Sequence, residues 1–77
     1  IKGACDLPGW TSVSITPEMV GRTVAVFTSI EAKSSTGGAT PEQRNWMEQV
    51  VKAGGIAGIA RSGDEALGIV EQWKRGI

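Results

Sequence analysis

Thr23-Val24-Ala25-Val26-Phe27-Thr28-Ser29-Ile30-Glu31-Ala32-Lys33 is the stretch on which the fold turns. β-Branched and apolar residues dominate it up to Ile30, which reads as a strand, and the run closes on two charges. Successive side chains of a strand alternate faces, so Glu31 and Lys33 point the same way, roughly 6–7 Å apart along the backbone. Metal-dependent phosphodiester hydrolysis gives such a pair a purpose. The acid holds a divalent cation, and the lysine steadies the attacking water or the charge that grows on the phosphate. A second acid must share the cation, and Asp6 in Gly3-Ala4-Cys5-Asp6 offers itself. The backbone carbonyl of Ala32, between the two functional side chains, is a further candidate oxygen ligand. A plain ion pair between Glu31 and Lys33 at an exposed strand end is the simpler reading of the same residues.

Upstream of this stretch, Ala4 to Leu7 reads as the end of a short strand, broken by the turn signal Pro8-Gly9. Trp10-Thr11-Ser12-Val13-Ser14-Ile15 alternates apolar with small polar residues, the pattern of a half-buried strand. Thr16-Pro17-Glu18 reads as a capped helical turn stopped by Gly21. Downstream, Ser34 to Ala39 is a loop directly after the charged pair. Thr40-Pro41-Glu42-Gln43 opens a helix, with threonine as N-cap, proline at the first position and glutamine completing a capping box. Trp46, Met47, Val50 and Val51 form its expected buried stripe, and Gly54-Gly55 ends it. Ile56-Ala57-Gly58-Ile59-Ala60 is a short apolar strand of small residues. Ser62-Gly63-Asp64-Glu65 launches a second helix with Leu67, Val70 and Trp73 on one side. Lys74 and Arg75 near its end suit the helix dipole. The expected order is strand, strand, strand, helix, strand, helix. This is an α/β fold, a small mixed β-sheet flanked by helices, with at least one strand-helix-strand crossover.

At 77 residues the chain is one small domain. A fold of this size buries only about 60–65% of its unfolded surface, so oligomerisation is the expected source of added stability. One cysteine excludes a disulfide framework. The absence of histidine excludes Cys/His zinc sites, Ser-His-Asp triads and histidine-based nuclease centres. Chemistry on this chain must use carboxylates, lysine and hard cations, magnesium or manganese. Eight basic and eight acidic residues give zero net charge, so a nucleic-acid partner needs a local basic patch, which a twofold assembly could supply. No apolar run is long enough to span a membrane. The lone thiol, with no signal peptide in view, favours a reducing cytoplasmic setting.

Gln43 carries two readings that can coexist, as the capping-box partner or as a ligand of the nucleophilic water or a phosphate. Lys2, Arg22, Arg44, Lys52 and Arg61 are candidate phosphate contacts, with Arg61 placed at a strand end; each also reads as a solvated surface charge. Trp10, Trp46 and Trp73 could stack on bases, or supply core volume or a dimer face. Cys5 reads as a small buried hydrophobe.

Four segments in order carry a family resemblance: Gly3-Ala4-Cys5-Asp6-Leu7-Pro8-Gly9, Ile30-Glu31-Ala32-Lys33, Gly38-Ala39-Thr40-Pro41-Glu42-Gln43, and Ala53-Gly54-Gly55-Ile56-Ala57-Gly58-Ile59-Ala60. Together they resemble the VRR-NUC nucleases of the PD-(D/E)xK superfamily, most closely the small stand-alone members of bacteriophages and prophages. The likeness covers nearly all of residues 1–77. It implies a restriction-endonuclease-like core and a divalent-metal endonuclease. Asp6 and Glu31 would be the metal-binding acids, Lys33 the catalytic lysine and Gln43 the glutamine of the following helix. It further implies a homodimer acting on branched DNA such as four-way (Holliday) junctions. The chain departs from the family in two ways. The acidic leading helix and basic first strand that precede the Gly-x-x-Asp segment have no counterpart, so these are expected to be missing. Ala32 stands where valine is usual. A non-catalytic DNA-binding or assembly module that keeps the nuclease fold is the competing expectation, and the choice between DNA and RNA is open.

Overall fold

The structure is a computed structural model and describes residues 9–77. Its centre is a strand-helix-strand unit. Strand β1 (Thr28–Ala32) leads through the Ser34–Ala39 loop into helix α1 (Pro41–Lys52), which returns the chain to strand β2 (Ile56–Ala60). Helix α2 (Gly63–Arg75) follows. The strands are parallel, in register from Thr28 opposite Ile56 to Ala32 opposite Ala60. The α/β class and the crossover are therefore as the sequence reads.

The helices lie on opposite faces of the strand pair. Residues 29 and 31 of β1 share one face, and both accept hydrogen bonds from α1 side chains. Ile30 and its register partner Gly58 share the other face, where Ile69 of α2 sits so close that a Cβ on Gly58 would lie 2.9 Å from its Cδ1. Val50, only 1% exposed, with Ile56 and Ala60, forms the buried centre. A second cluster caps the N-terminal end of β1, where the Trp10, Phe27 and Trp46 rings meet at centroid distances of 4.9 to 6.2 Å in tilted and edge-on geometry.

Helix α1 starts as its sequence dictates. The Thr40 hydroxyl accepts from the Gln43 amide at 3.1 Å, and the Gln43 side chain accepts from the Thr40 amide at 3.0 Å. It ends in a Schellman motif, with Gly55 N–H on the Val50 carbonyl and Gly54 N–H on that of Val51. Gly54 takes the required left-handed conformation at φ +97°. Ser62 caps α2 by accepting from the Glu65 amide at 3.1 Å. The Glu65 carboxylate reaches one residue further back than a capping box requires, to the Arg61 amide at 2.7 Å.

The structure corrects several expectations. Trp10 to Ile15 forms no strand and joins no sheet, and Val13 and Ile15 are exposed. Its alternation has no strand to pair with among the described residues, and the Ser12 hydroxyl reaches only the Ala53 carbonyl, at 3.4 Å. The long strand from Thr23 shrinks to Thr28–Ala32 because its partner is five residues long and turns away at Gly54-Gly55. The sheet is accordingly a parallel pair among the described residues rather than mixed. The expected strand at Ala4 to Leu7 lies outside them. Val51 and Leu67 face solvent, and Trp46 is 44% exposed. The inward line of α1 runs Gln43, Met47, Val50, and that of α2 runs Ala66, Ile69, Val70, Trp73, each at helical spacing. Thr16 precedes a single 3-10 turn (Pro17–Met19) and makes no side-chain bond to the turn's backbone. The Glu18 carboxyl there is held below its ordinary value by its own backbone amide and by the Thr16 hydroxyl.

Candidate functional site

The carboxyl-terminal end of β1 sets Ser29, Glu31 and Lys33 on one face by simple alternation. Lys33 lies just past the strand, yet its amide still donates to the Ala60 carbonyl at 3.1 Å, which keeps the alternation going. Helix α1 crosses this face and delivers two donors one turn apart. The Gln43 amide Nε2 donates to Glu31 Oε1 at 3.0 Å, and the Trp46 indole Nε1 donates to Ser29 Oγ at 2.9 Å. Lys33 Nζ lies 3.6 Å from the same Glu31 oxygen.

One oxygen of Glu31 thus faces an amide donor and an ammonium, while Oε2 accepts no hydrogen bond among the described residues. The Lys33 side chain is 18% exposed and that of Glu31 42%. The lysine side chain is mostly covered, and that of Glu31 meets solvent. Each has a different surrounding although the two residues are near neighbours in sequence.

The loop after β1 folds back over Lys33. Ser34 to Gly37 closes as a turn, Gly37 N–H donating to the Ser34 carbonyl at 3.2 Å. A Cβ on Gly37 would stand 3.6 and 3.7 Å from Lys33 Cδ and Cβ, so the turn runs alongside the lysine stem. Arg61, the residue after β2, donates from its guanidinium to the Gly37 carbonyl.

Of the residues singled out from sequence, Glu31, Lys33 and Gln43 are brought together and Arg61 approaches them through the loop. Ala32 ends β1 between the two charged residues. Asp6 and Lys2 lie outside the described residues. Arg44 is exposed next to Gln43 in the first turn of α1. Lys52 sits at the other end of that helix, on the order of 13 Å further along its axis. Arg22 is exposed in the segment before β1. Sequence reasoning missed Ser29 and Gly37. The period of two that linked Glu31 to Lys33 reaches back to Ser29, whereas nothing local marks the Gly37 carbonyl as the acceptor for Arg61.

Cavities do not coincide with the strongest chemistry. An open, largely apolar groove of about 580 Å³ lies between the segment before β1 and the α1–β2 junction, lined by Trp10, Ile15, Met19, Val24, Phe27 and Gly55. A smaller one of about 340 Å³ lies at the carboxyl ends of the strands, bordered by Ile30, Lys33, Ala60, Arg61 and Ala66. Among the described residues no three His, Cys, Asp or Glu side chains converge, and no helix is long and apolar enough to cross a membrane. Comparison with protein-family models, curated proteins and solved structures found no match.

Proposed function

We propose that the protein is a divalent-metal-dependent endonuclease hydrolysing DNA phosphodiester bonds, with a PD-(D/E)xK site of the VRR-NUC type. The observation that supports this most is the convergence of Glu31, Lys33 and Gln43 on one carboxylate oxygen.

The donor chemistry suits a hard cation. Glu31 Oε2 accepts no hydrogen bond among the described residues, and the side chain meets solvent. Asp6 and the Ala32 carbonyl are the other proposed ligands for magnesium or manganese. The ion, when bound, would polarise a phosphate oxygen and make water more acidic. The protein's own groups then have separate tasks. Lys33 offers positive charge where the phosphorane gains negative charge, and Gln43 fixes the Glu31 rotamer. Lys2 and Arg44 are the proposed contacts to the DNA backbone, while the Arg61 guanidinium is engaged with the Gly37 carbonyl. Twofold pairing of protomers would present two such sites to a branched substrate such as a four-way junction. A reducing, cytoplasmic setting, in the host cell for a phage-encoded protein, accords with this role.

The test is cleavage of an end-labelled four-way junction in magnesium by the wild type and by Lys33→Ala. The substitution is expected to slow cutting by about a hundredfold or more. Equal cutting by both proteins would remove the proposed chemistry.

One observation favours a second reading, a non-catalytic DNA-binding or assembly module on the same fold. Among the described residues no group of three His, Cys, Asp or Glu side chains forms around Glu31 to hold a metal. Calorimetric titration with manganese separates the readings, because only the nuclease requires uptake through Asp6 and Glu31 and loses it in Asp6→Asn.

A further inference from the structure

We propose that Arg61 is a positioning residue that clamps the Ser34–Gly37 turn over Lys33 and so keeps the ammonium beside Glu31. The inference rests on the nuclease reading for its catalytic consequence, but its structural content stands apart from it.

Five contacts carry it. Arg61 follows Ala60, whose carbonyl receives the Lys33 amide at 3.1 Å, so arginine and lysine stand side by side at the open end of the strand pair. The Arg61 backbone is tied to the start of α2, its amide donating to Glu65 Oε1 at 2.7 Å. A carboxylate acceptor makes this a charge-assisted bond, and Ser62 fixes the same glutamate by accepting its amide at 3.1 Å. From that anchor the guanidinium crosses to the Gly37 carbonyl. Gly37 in turn passes beside the Lys33 stem, where a Cβ added to the glycine would meet the lysine Cβ and Cδ at ordinary contact distance.

Lysine has four rotatable bonds, and an ammonium left in water has little reason to stay within 3.6 Å of one carboxylate oxygen. Covering the stem removes that freedom, in keeping with a side chain only 18% exposed. The turn itself has one internal bond, Gly37 to Ser34, and holds no regular structure. It needs an outside tie, and Arg61 supplies one from the far strand. The guanidinium's planar fork suits a fixed backbone carbonyl better than a lysine point charge does. On this account Arg61 acts through the lysine and does not need to touch DNA.

The experiment compares Arg61→Ala and Arg61→Lys with wild type, and Arg61→Ala in a Lys33→Ala background, by single-turnover cleavage of the junction over a range of protein concentrations. Positioning predicts that Arg61→Ala slows the rate at saturation by about tenfold while half-saturation moves less than about threefold. It predicts partial recovery in Arg61→Lys and no further loss in the double variant. A shift in half-saturation with an unchanged saturated rate would make Arg61 a DNA contact and overturn the proposal. NMR of the Lys33 Cε and Nζ resonances, without DNA, gives a readout that survives failure of the nuclease reading. Wild type that never cuts would sink that reading alone. Lys33 resonances identical in wild type, Arg61→Ala and Arg61→Lys would sink the clamp. Circular dichroism of each variant verifies folding, and Arg61→Lys carries the comparison if the alanine form unfolds.

Discussion

Gln43 has one amide and uses both of its ends. Its carbonyl oxygen takes the Thr40 amide at 3.0 Å, and its nitrogen gives to Glu31 Oε1 at 3.0 Å. The two roles read from sequence, cap and site ligand, are met by one side chain because acceptor and donor sit on different atoms. Substitution separates them. Gln43→Glu keeps the acceptor, and with it the capping box, but swaps the donor for a carboxylate facing Glu31. Cleavage is expected to fall by about tenfold or more while the melting temperature changes little. Gln43→Ala loses both contacts and should in addition lower stability by about 1 kcal/mol. Wild-type cutting rates in Gln43→Glu would show that the donated hydrogen bond has no part in the chemistry. The sequence could announce the cap, because its partners are three residues apart. It could not announce the Glu31 contact, which depends on how a whole helix lies across a strand.

At the scale of elements, the chain was most readable where its signals are local. Thr40-Pro41-Glu42-Gln43 and Gly54-Gly55 bound α1 as expected, and Ile56–Ala60 is a strand as written. Pairing is not local, and there the reading went astray. Trp10 to Ile15 has the alternation of a strand without a partner among the described residues, and only five of the residues from Thr23 to Lys33 find one. The α1–β2 junction makes a prediction that propensity alone does not. A Cβ on Gly55 would lie 2.8 Å from both the Phe27 carbonyl oxygen and Val50 Cγ1, so backbone meets backbone there. At Gly54 the left-handed φ is the obstacle and space is open. Gly55→Ala is therefore expected to lose about 2–3 kcal/mol in urea unfolding through overpacking. Gly54→Ala should lose about 1–2 kcal/mol through strain alone. A neutral Gly55→Ala would mean that the junction is looser than described.

For the molecule as a whole, the balance between class and detail follows from size. The α/β class and the strand-helix-strand crossover were legible from the order of elements, whereas the mixed sheet expected with them is a parallel pair among the described residues. The identity of the inward residues was less legible, because in a small core the helices bury narrow stripes and Val51 and Leu67 fall outside them. Glu31 and Lys33 were paired from the period of a strand; their cover, supplied by Gly37 and Arg61 from distant segments, was beyond any local rule. The strand pair has one more property. Each strand meets one neighbour among the described residues, leaving a row of amides and carbonyls along both outer sides. Ile56-Ala57-Gly58-Ile59-Ala60 carries no charge or proline to discourage another chain from adding there. Warming a concentrated sample to the onset of unfolding should seed cross-β assemblies that bind thioflavin T, and a sample that cools back clear would show those sides to be shielded. Self-adhesion, rather than loss of the helices, would then set the conditions under which this protein can be stored and handled.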